Sequence, residues 1–390
     1  MIALSAERGY RAVTVRELSR LAGVSSRAFY EQYAGKEACM LHCHLALVRR
    51  LLRELATVDT AVDQPGKLVR VFMRALGRDP QVARLLLVGP QCEGETALEQ
   101  ERCANQLIAA QLGDSFQRCT DVAELPRPLV DGIVAGLIGV AIRRVLSGRT
   151  DELLSTELSD RLADWVRSID MDQSFLSQGS SSKAVGELEE RAPSGDLALL
   201  LSATAKLSVK HGYRGLSVRR ILSAAGLPRR RFSAYFADVD ECFAAAVEMG
   251  MKEALESSRQ LGEHAPSPRW GVHRSMAGLA LAIHRNPLLA RFCRNGMEAP
   301  RAVTLRVVER LTACMSDSFR SLASIQVGHQ DDVAIEAATW GTWGALGREL
   351  RGAPTDLAPL VACQLLLARS GQIEEPTLSL ADGTASSRAI

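Results

Sequence analysis

The apolar positions near the start of the chain follow the spacing of one face of a short amphipathic helix. They are Val15, Leu18 and Leu21. Thr14 precedes them, and Glu17 follows Thr14 by three residues, which is the spacing of a capping box that satisfies free amides at a helix start. Gly23 comes after the last apolar position, and glycine readily takes the left-handed conformation that ends a helix. The pattern predicts a short capped helix that ends at Gly23.

A second short helix, residues 26–33, is predicted immediately after this turn. Ser25 can cap its first amides, and Val24 is expected to pack into the core between the two helices. A helix, a glycine turn and a short helix make a helix-turn-helix, although a plain helical hairpin has the same pattern. In the DNA-binding form, the second helix enters the major groove with its N-terminal residues against the base edges.

This pattern occurs twice in the chain. The segment GYRAVTVR at residues 9–16 recurs as GYRGLSVR at 212–219, with an offset of 203. Later landmarks keep nearly the same offset. They are R-x-P-x-x-A-R at 78–84 and 285–291, and G-x-x-G-x-x-x-R at 136–143 and 341–348. Chance similarity between helices rich in Ala, Leu and Arg would not keep such offsets in order, so the duplication covers a whole unit.

Composition agrees with two helical units. The chain has 390 residues, of which 47% are hydrophobic and 24% are charged. This length exceeds one ordinary domain of about 100 to 200 residues and fits two. The abundance of Ala, Leu and Arg, which favour helix, predicts an all-α fold.

Charge is distributed unevenly along the chain. The net charge is only +2, but residues 206–236 contain eight Lys or Arg and no acid, and residues 8–36 carry a net +4. The remaining residues carry a net −10. Basic segments in an otherwise acidic protein indicate a polyanionic partner, although a basic helix face alone is more commonly a solvated surface.

Several other classes of protein are not supported by the sequence. No apolar stretch is long enough to span a bilayer, and the N-terminal residues do not follow the signal-peptide pattern. Nine scattered cysteines without an export signal predict reduced thiols and a cytoplasmic location. One dense group of metal-type ligands, residues 39–44, lacks a second group to complete a tetrahedral site. Without a phosphate-binding loop or a carboxylate pair placed for acid-base chemistry, we predict neither an enzyme nor a metal or cofactor site.

Taken together, the first residues of each copy resemble the N-terminal domain of TetR/AcrR-type repressors. The resemblance is carried by GY at 9–10, TVREL at 14–18, AGVS at 22–25, FY at 29–30 and KE at 36–37. It implies a three-helix DNA-binding head, a connecting fourth helix that begins near Lys36, and a larger helical domain that binds a small effector and pairs two subunits. It covers both copies, closely in the heads and loosely in the regulatory parts.

The resemblance also implies roles for individual residues of the first head. Phosphate contacts are expected from Thr14, Tyr30 and Lys36. Residues that contact or approach the bases are expected to be Ser25, Ser26, Arg27 and Ala28. Phosphate contacts position a protein on DNA and base contacts specify the sequence, so the two sets are expected to respond differently to mutation.

The second head differs at several of these positions. Ser217 takes the place of the capping threonine. Ser233 and Val239 replace the tyrosine and the lysine, which removes two expected phosphate contacts. The residues that replace the base-approaching set are Pro228, Arg229, Arg230 and Arg231. Proline is tolerated at a helix start, and arginines bind phosphates or guanines, so the second head has either altered or lost DNA binding.

The predicted architecture is two TetR-like units in one all-α chain, each a three-helix helix-turn-helix head followed by a helical regulatory domain. The first head has a short first helix, whereas the second has a full amphipathic helix over residues 197–210. Segments rich in Ser, Gly, Pro and acid predict a flexible linker and a disordered tail. The predicted boundaries are 1–45 for the first head, 46–176 for its regulatory domain, 177–196 for the linker, 197–248 for the second head, 249–371 for the second regulatory domain and 372–390 for the tail.

We therefore predict a sequence-specific DNA-binding transcriptional regulator of the repressor type. Its expected partners are a double-stranded DNA operator and an unidentified small-molecule effector, with the two units forming an intrachain pseudo-dimer or the chain forming a homodimer. The alternative is a helical ligand-sensing or partner-binding protein whose heads have lost DNA affinity. Trp165, Trp340 and Trp343 are candidates for the effector pocket, but aromatic residues at helical spacing are more often core, and no pocket residue is predicted.

Overall fold

A computed structural model of the chain describes nine segments, and all regular structure within them is helical. The segments are residues 1–8, 10–58, 64–87, 95–118, 127–169, 195–263, 268–295, 299–326 and 331–349. These residues form seventeen α-helices and three short 3₁₀ turns, and they contain no strand. The prediction of an all-α fold is confirmed. Most of the predicted linker, residues 177–194, and the predicted tail, residues 372–390, lie outside the described residues.

Nine of these helices belong to the first unit. They are α1 (Ile2–Arg8), α2 (Val15–Ala22), α3 (Ser26–Gln32), α4 (Lys36–Ala56), α5 (Gln64–Gly77), α6 (Pro80–Leu87), α7 (Glu95–Arg118), α8 (Arg127–Leu146) and α9 (Thr156–Arg167). Helix α1 has seven residues, which agrees with the predicted short first helix. Helix α4 begins at Lys36, as the resemblance implies, and its 21 residues connect the head to helices α5 and α7 of the same unit.

The described helices of the second unit repeat the first eight in the same order. They are α10 (Asp196–His211), α11 (Val218–Ala225), α12 (Arg229–Ser233), α13 (Val239–Glu263), α14 (Pro268–Arg285), α15 (Pro287–Asn295), α16 (Arg301–Gln326) and α17 (Asp332–Glu349). The repeat seen in the sequence is therefore a repeat of structure. The main difference is the first helix, because α10 has sixteen residues where α1 has seven.

The cores of the two heads join the rest of the chain differently. Leu200, Ile221 and Phe232 of the second head belong to one continuous apolar core that extends through the helices that follow both heads. The first head has a separate small cluster, which consists of Val13, Leu18, Phe29 and Cys39. The longer α10 explains the difference because it packs against both α11 and α13. Each fully buried aliphatic or aromatic side chain contributes about 1.5–3 kcal/mol, so the second head is held more firmly.

The two units meet mainly through helices α8 and α17, with a further contact between α9 and α17. The two helices run antiparallel. Arg144, near the end of α8, pairs with Glu336, near the start of α17. Ala135, in the first half of α8, lies against Gly344 in the second half of α17. Both helices are buried on nearly all sides, so their contact forms the centre of the molecule.

Glycines allow the backbones of α8 and α17 to approach closely. A Cβ atom added at Gly136 would lie 2.6 Å from the carbonyl oxygen of Ala337, which is closer than a real Cβ contact. The ring of Trp340 covers Gly139 and fills the space that a side chain would need there. Because close packing tolerates neither overlap nor voids, these positions fix the distance between the helices.

Ion pairs also join the units, and the two shortest involve Arg144 and Arg161. Nη1 of Arg144 donates to both carboxylate oxygens of Glu336 at 2.7 and 2.8 Å, and both side chains are only 8% exposed. Nε of Arg144 lies 2.9 Å from Oε2 of Glu152, so residues from both units surround the buried guanidinium. Nε of Arg161 on α9 donates to Oδ2 of Asp331 at 2.7 Å. Removing one member of a buried pair is costly because it leaves the other charge without its partner.

Candidate DNA-binding site in the two heads

The first helix-turn-helix consists of α2, the turn at Gly23 and α3. The N–H of Thr14 donates to Oε2 of Glu17 at 3.0 Å, and the N–H of Glu17 donates to Oγ1 of Thr14 at 3.3 Å, which completes the predicted capping box. Gly23 ends α2 with a left-handed φ of 68°. Ser25 caps α3 by accepting the N–H of Ala28 at 3.1 Å. Each side-chain cap contributes about 1 kcal/mol, so local residues define this motif.

The prediction that Val24 packs into the core is wrong, because its side chain is 46% exposed. The N–H of Val24 donates to the carbonyl of Ser19 at 3.0 Å, in the Schellman arrangement that ends α2. An apolar contact between two such residues usually accompanies this arrangement, but Ser19 provides a hydroxyl instead. In the second head the equivalent pair is Leu227 and Leu222, and Leu227 is half-buried. The missing apolar partner therefore explains the exposure of Val24.

The outer face of α3 carries the residues predicted to meet the bases. Ser25, Ser26 and Arg27 are exposed, and Ala28 is half-buried. Tyr30 on the same short helix is 58% exposed, whereas Phe29 is buried in the head core. Nε of Arg27 lies 3.1 Å from Oε1 of Glu31, and an exposed pair of this kind contributes less than about 1 kcal/mol and breaks readily. The predicted set thus forms one accessible surface.

Lys36 has a structural role that the sequence did not indicate. Its ammonium donates to the carbonyl of Tyr10 at 3.3 Å and to the carbonyl of Val13 at 3.1 Å. It also lies 4.8 Å from the centre of the Tyr10 ring. Thr14, the other expected phosphate contact at this end of the head, is exposed. Lys36 therefore fastens the start of α4 to the segment just before α2, and its phosphate contact stays a prediction.

The second helix-turn-helix has simpler caps. Oγ of Ser217 accepts the N–H of Arg220 at 3.3 Å, but Arg220 stands where a capping box needs a carboxylate or an amide. The guanidinium of Arg220 instead donates to the carbonyl of Gly215 at 2.9 Å. Gly226 ends α11 with a φ of 68°, as in the first head. The turn is conserved between the copies while the cap is weakened.

The three arginines of α12 are not equivalent. Arg229 and Arg230 are exposed, and neither has an ion-pair partner among the described residues. Nε of Arg231 lies 3.0 Å from Oδ2 of Asp196 at the start of α10. Pro228 precedes the helix and provides no side-chain cap. Two cations are thus available to a polyanion, while the third also joins α12 to α10.

Tyr235 is an exposed aromatic residue near this surface and is not among the predicted DNA contacts. It lies two residues after the end of the short α12 and is 42% exposed. Phe232 and Phe236, four residues apart, are buried on the other side of the segment. That spacing was visible in the sequence and leaves Tyr235 facing away from the core. Its hydroxyl can donate to a phosphate in place of the missing tyrosine.

The tryptophans considered for an effector pocket contribute mainly to packing. Trp165 is fully buried, and its ring lies 2.7 Å from the Cβ position of Gly136 on α8. Trp340 lies between the units against Gly139. Trp343 packs near Phe292, with ring centres 6.5 Å apart. Two of the three candidates therefore pack directly against α8.

Metal binding and membrane insertion find no support in the described part of the chain. No three His, Cys, Asp or Glu side chains come together there in a way that could hold a metal ion. No described helix is long and apolar enough to cross a bilayer. Burial and the neighbouring Cys43 raise the pKa of the Cys39 thiol to about 11. Cys39 is therefore protonated at neutral pH and is a poor ligand and nucleophile.

Two helix-turn-helix heads, each leading through a long helix into a helical domain, define a DNA-binding transcriptional regulator. A family model described as "Bacterial regulatory proteins, tetR family" matches the chain twice, at residues 2–43 and 200–246. Both matched segments are helix-turn-helix heads, so the chain carries two TetR-type heads, as the resemblance of the heads implied. No curated protein sequence matches the chain.

Proposed function

We propose that the chain is a ligand-responsive transcriptional repressor that binds one double-stranded operator as an intrachain pseudo-dimer. In this proposal each head occupies one half-site, and the paired regulatory domains set the distance between the heads. The protein acts in the cytoplasm, where the bacterial chromosome lies, and it acts by binding rather than by catalysis.

The observation that carries this proposal is a contact made twice around a pseudo-twofold axis. Positions 135 and 139 of α8 are equivalent in the repeat to positions 340 and 344 of α17. Gly139 lies against Trp340, and Gly344 lies against Ala135, so each helix presents the same pair of positions to the other. Identical subunits pair through such two-fold interfaces, in which residue i meets residue j and residue j meets residue i. This relationship supports pairing of the two units like two subunits.

The two heads differ in the chemistry that they offer to DNA. The first offers hydroxyls and one arginine, at Ser25, Ser26 and Arg27, and the second offers Arg229 and Arg230. Arginine donates bidentately to guanine, whereas serine forms shorter and less selective contacts. The operator is therefore asymmetric, with two unlike half-sites about 34–36 Å apart, one helical turn of DNA or a multiple of it.

The effector response is proposed from the resemblance of both heads to the TetR family. A small molecule that binds a regulatory domain and favours another separation of the heads lowers DNA affinity, because it shifts the population between two domain arrangements. The head separation depends on α8 and α17, since these helices join the units. The identity of the effector is left open.

The experiment is binding of the purified chain to fragments of its own upstream region at two salt concentrations. Two double variants are compared with the wild type: Arg27→Ala with Tyr30→Ala in the first head, and Arg229→Ala with Arg230→Ala in the second. Each lost ion pair between an arginine and a phosphate reduces the magnitude of the slope of log K against log salt by about 0.9, whereas loss of the neutral Tyr30 contact lowers affinity without changing the slope. Hydroxyl-radical footprinting then shows whether the two half-sites differ.

The control is Lys67→Ala, which removes an exposed lysine of α5 outside both heads. Affinity and salt slope are expected to be unchanged in this variant. Sequence-dependent binding that each head variant weakens supports the proposal. A symmetric footprint from two chains that use one kind of head contradicts the pseudo-dimer. No sequence-dependent binding at low salt without effector would favour a helical ligand-sensing or partner-binding protein instead.

A further inference from the structure

We infer that α8 of the first unit is a surface selective for α17 of the second unit, so that a complete particle contains one unit of each kind. The inference rests on the proposed pairing of the two units and deepens it. It states which residues exclude a pair of two first units or of two second units. A selective surface matters because two chains in one cell could otherwise pair through identical helices.

The first determinant is the contact between Trp340 and Gly139. The residue equivalent to Trp340 in the first unit is Ala135. In a pair of two first units, an alanine would therefore replace the indole at both contacts, and the space beside each Gly139 would be empty. Unfilled apolar space destabilises an interface in proportion to its volume. A first unit thus needs a second unit to fill this space.

The second determinant is the buried pair of Arg144 and Glu336. The residue equivalent to Arg144 in the second unit is Glu349. In a pair of two second units, each buried Glu336 would lose its bidentate arginine, and the opposing position would be occupied by another glutamate. A buried carboxylate without its cation is strongly disfavoured. A second unit thus needs a first unit to neutralise Glu336.

A third contact acts in the same direction. Arg161 of the first unit donates to Asp331 of the second. The residue equivalent to Asp331 in the first unit is Pro126, which has no carboxylate. Arg143, whose Nη1 lies 3.5 Å from Oε1 of Glu336, does not distinguish the units, because Arg348 is its equivalent. Trp340 and Asp331 therefore disfavour a pair of two first units, and Arg144 disfavours a pair of two second units, so only a mixed pair keeps all three contacts.

The test uses full-length chains that all carry Glu152→Gln, which removes the second carboxylate beside Arg144, together with Glu336→Arg, Arg144→Glu, or both substitutions. Each single substitution places like charges at the buried pair, and the double substitution restores opposite charges with their positions exchanged. We measure the thermal midpoint and the molar mass in solution by light scattering. Arg143→Ala is the matched control, since Arg143 is an exposed neighbour on the same helix that also touches Glu336.

Glu336→Arg is expected to lower the thermal midpoint by roughly 5–10 °C, and the double variant is expected to recover at least half of that loss. Arg143→Ala is expected to change the midpoint by less than about 2 °C. The wild type and the double variant are expected to have the mass of one chain, 42.2 kDa. Recovery of the thermal midpoint in the double variant tests the selective pairing of the two units by itself, because this measurement does not depend on DNA binding.

Two outcomes would overturn the inference. One is a double variant no more stable than Glu336→Arg. The other is a larger fraction of a two-chain species in Glu336→Arg than in the wild type. An arginine at residue 336 could face Glu349 when two second units meet, so such a species would show that second units pair with each other. Recovery in a two-chain species would support the selective pairing but contradict the intrachain arrangement of the proposed function. Operator binding is tested separately, so the failures of the two proposals are distinguishable.

Discussion

Trp340 of α17 lies directly against Gly139 of α8, and its indole occupies the space that a side chain at residue 139 would need. Gly139→Ala is therefore expected to lower the free energy of unfolding by roughly 1–3 kcal/mol, because the added methyl overlaps the large, half-buried ring of Trp340. This loss exceeds the gain of up to about 1 kcal/mol from alanine in a helix interior. Calorimetry of the purified chain measures the difference.

The control for this prediction is Gly35→Ala. Gly35 has an extended backbone that any residue adopts, and a Cβ atom there would meet nothing within 4 Å. Its effect on stability is expected to stay within about 0.5 kcal/mol. Equal free energies of unfolding for Gly139→Ala and Gly35→Ala would show that α8 and α17 do not pack in this way.

The caps of the two heads provide a second prediction. Thr14→Ala removes both hydrogen bonds of Thr14 Oγ1 with Glu17, whereas Ser217→Ala removes a single cap bond to Arg220. The first substitution is expected to cost about 1–2 kcal/mol and the second about 1 kcal/mol or less. Amide hydrogen exchange locates the effect, with faster exchange expected in residues 15–22 and 218–225 respectively. Equal acceleration in both segments would mean that Glu17 adds nothing to the cap.

Much of the local structure of the heads was predictable because it depends on neighbouring residues. The capping box at Thr14 and the left-handed turn at Gly23 both occur where the sequence places them. These features need only residues within a few positions of one another. The repeat added the order of the helices, since a second copy of a segment adopts the same fold.

What the sequence could not show depends on contacts between distant residues. Periodicity does not reveal that the ammonium of Lys36 reaches the carbonyl of Tyr10, or that Arg231 pairs with Asp196 thirty-five positions earlier. The packing partner of Trp340 is Gly139, about 200 residues away in the chain. Because the sequence does not reveal this partner, Trp340 is also a candidate for a pocket when the sequence is taken alone. A tryptophan opposite a glycine is recognisable only after the two helices are placed together.

Lys36 and Tyr30 provide a third prediction, because only one of them has a structural role. Lys36→Ala removes two hydrogen bonds to backbone carbonyls and the contact with the Tyr10 ring. It is expected to lower the stability of the first head by about 1–2 kcal/mol and also to weaken operator binding. Tyr30→Ala, at a 58% exposed position, is expected to weaken operator binding without a measurable loss of stability.

Hydrogen exchange in residues 10–14 and operator affinity at two salt concentrations separate these effects. Lys36→Arg is the matched variant, since it keeps the positive charge that a phosphate needs but changes the geometry at the two carbonyls. If hydrogen exchange in residues 10–14 is as slow in Lys36→Ala as in the wild type, the hydrogen bonds to Tyr10 and Val13 do not stabilise the head.

The buried thiol of Cys39 predicts how the first head responds to alkaline pH. Burial and the neighbouring Cys43 raise the pKa of Cys39 from its ordinary value of 9.0 to about 11 in the folded head. The folded head favours the protonated thiol, so the stability that this preference contributes is complete below pH 9 and declines as the pH rises toward 11. The free energy of unfolding of the first head should therefore fall between pH 9 and pH 11. It is measured with denaturant and followed through exchange in residues 15–32. In Cys39→Ala, this part of the decline should disappear while the ionisation of other groups continues, and an identical decline in both proteins would contradict the assignment.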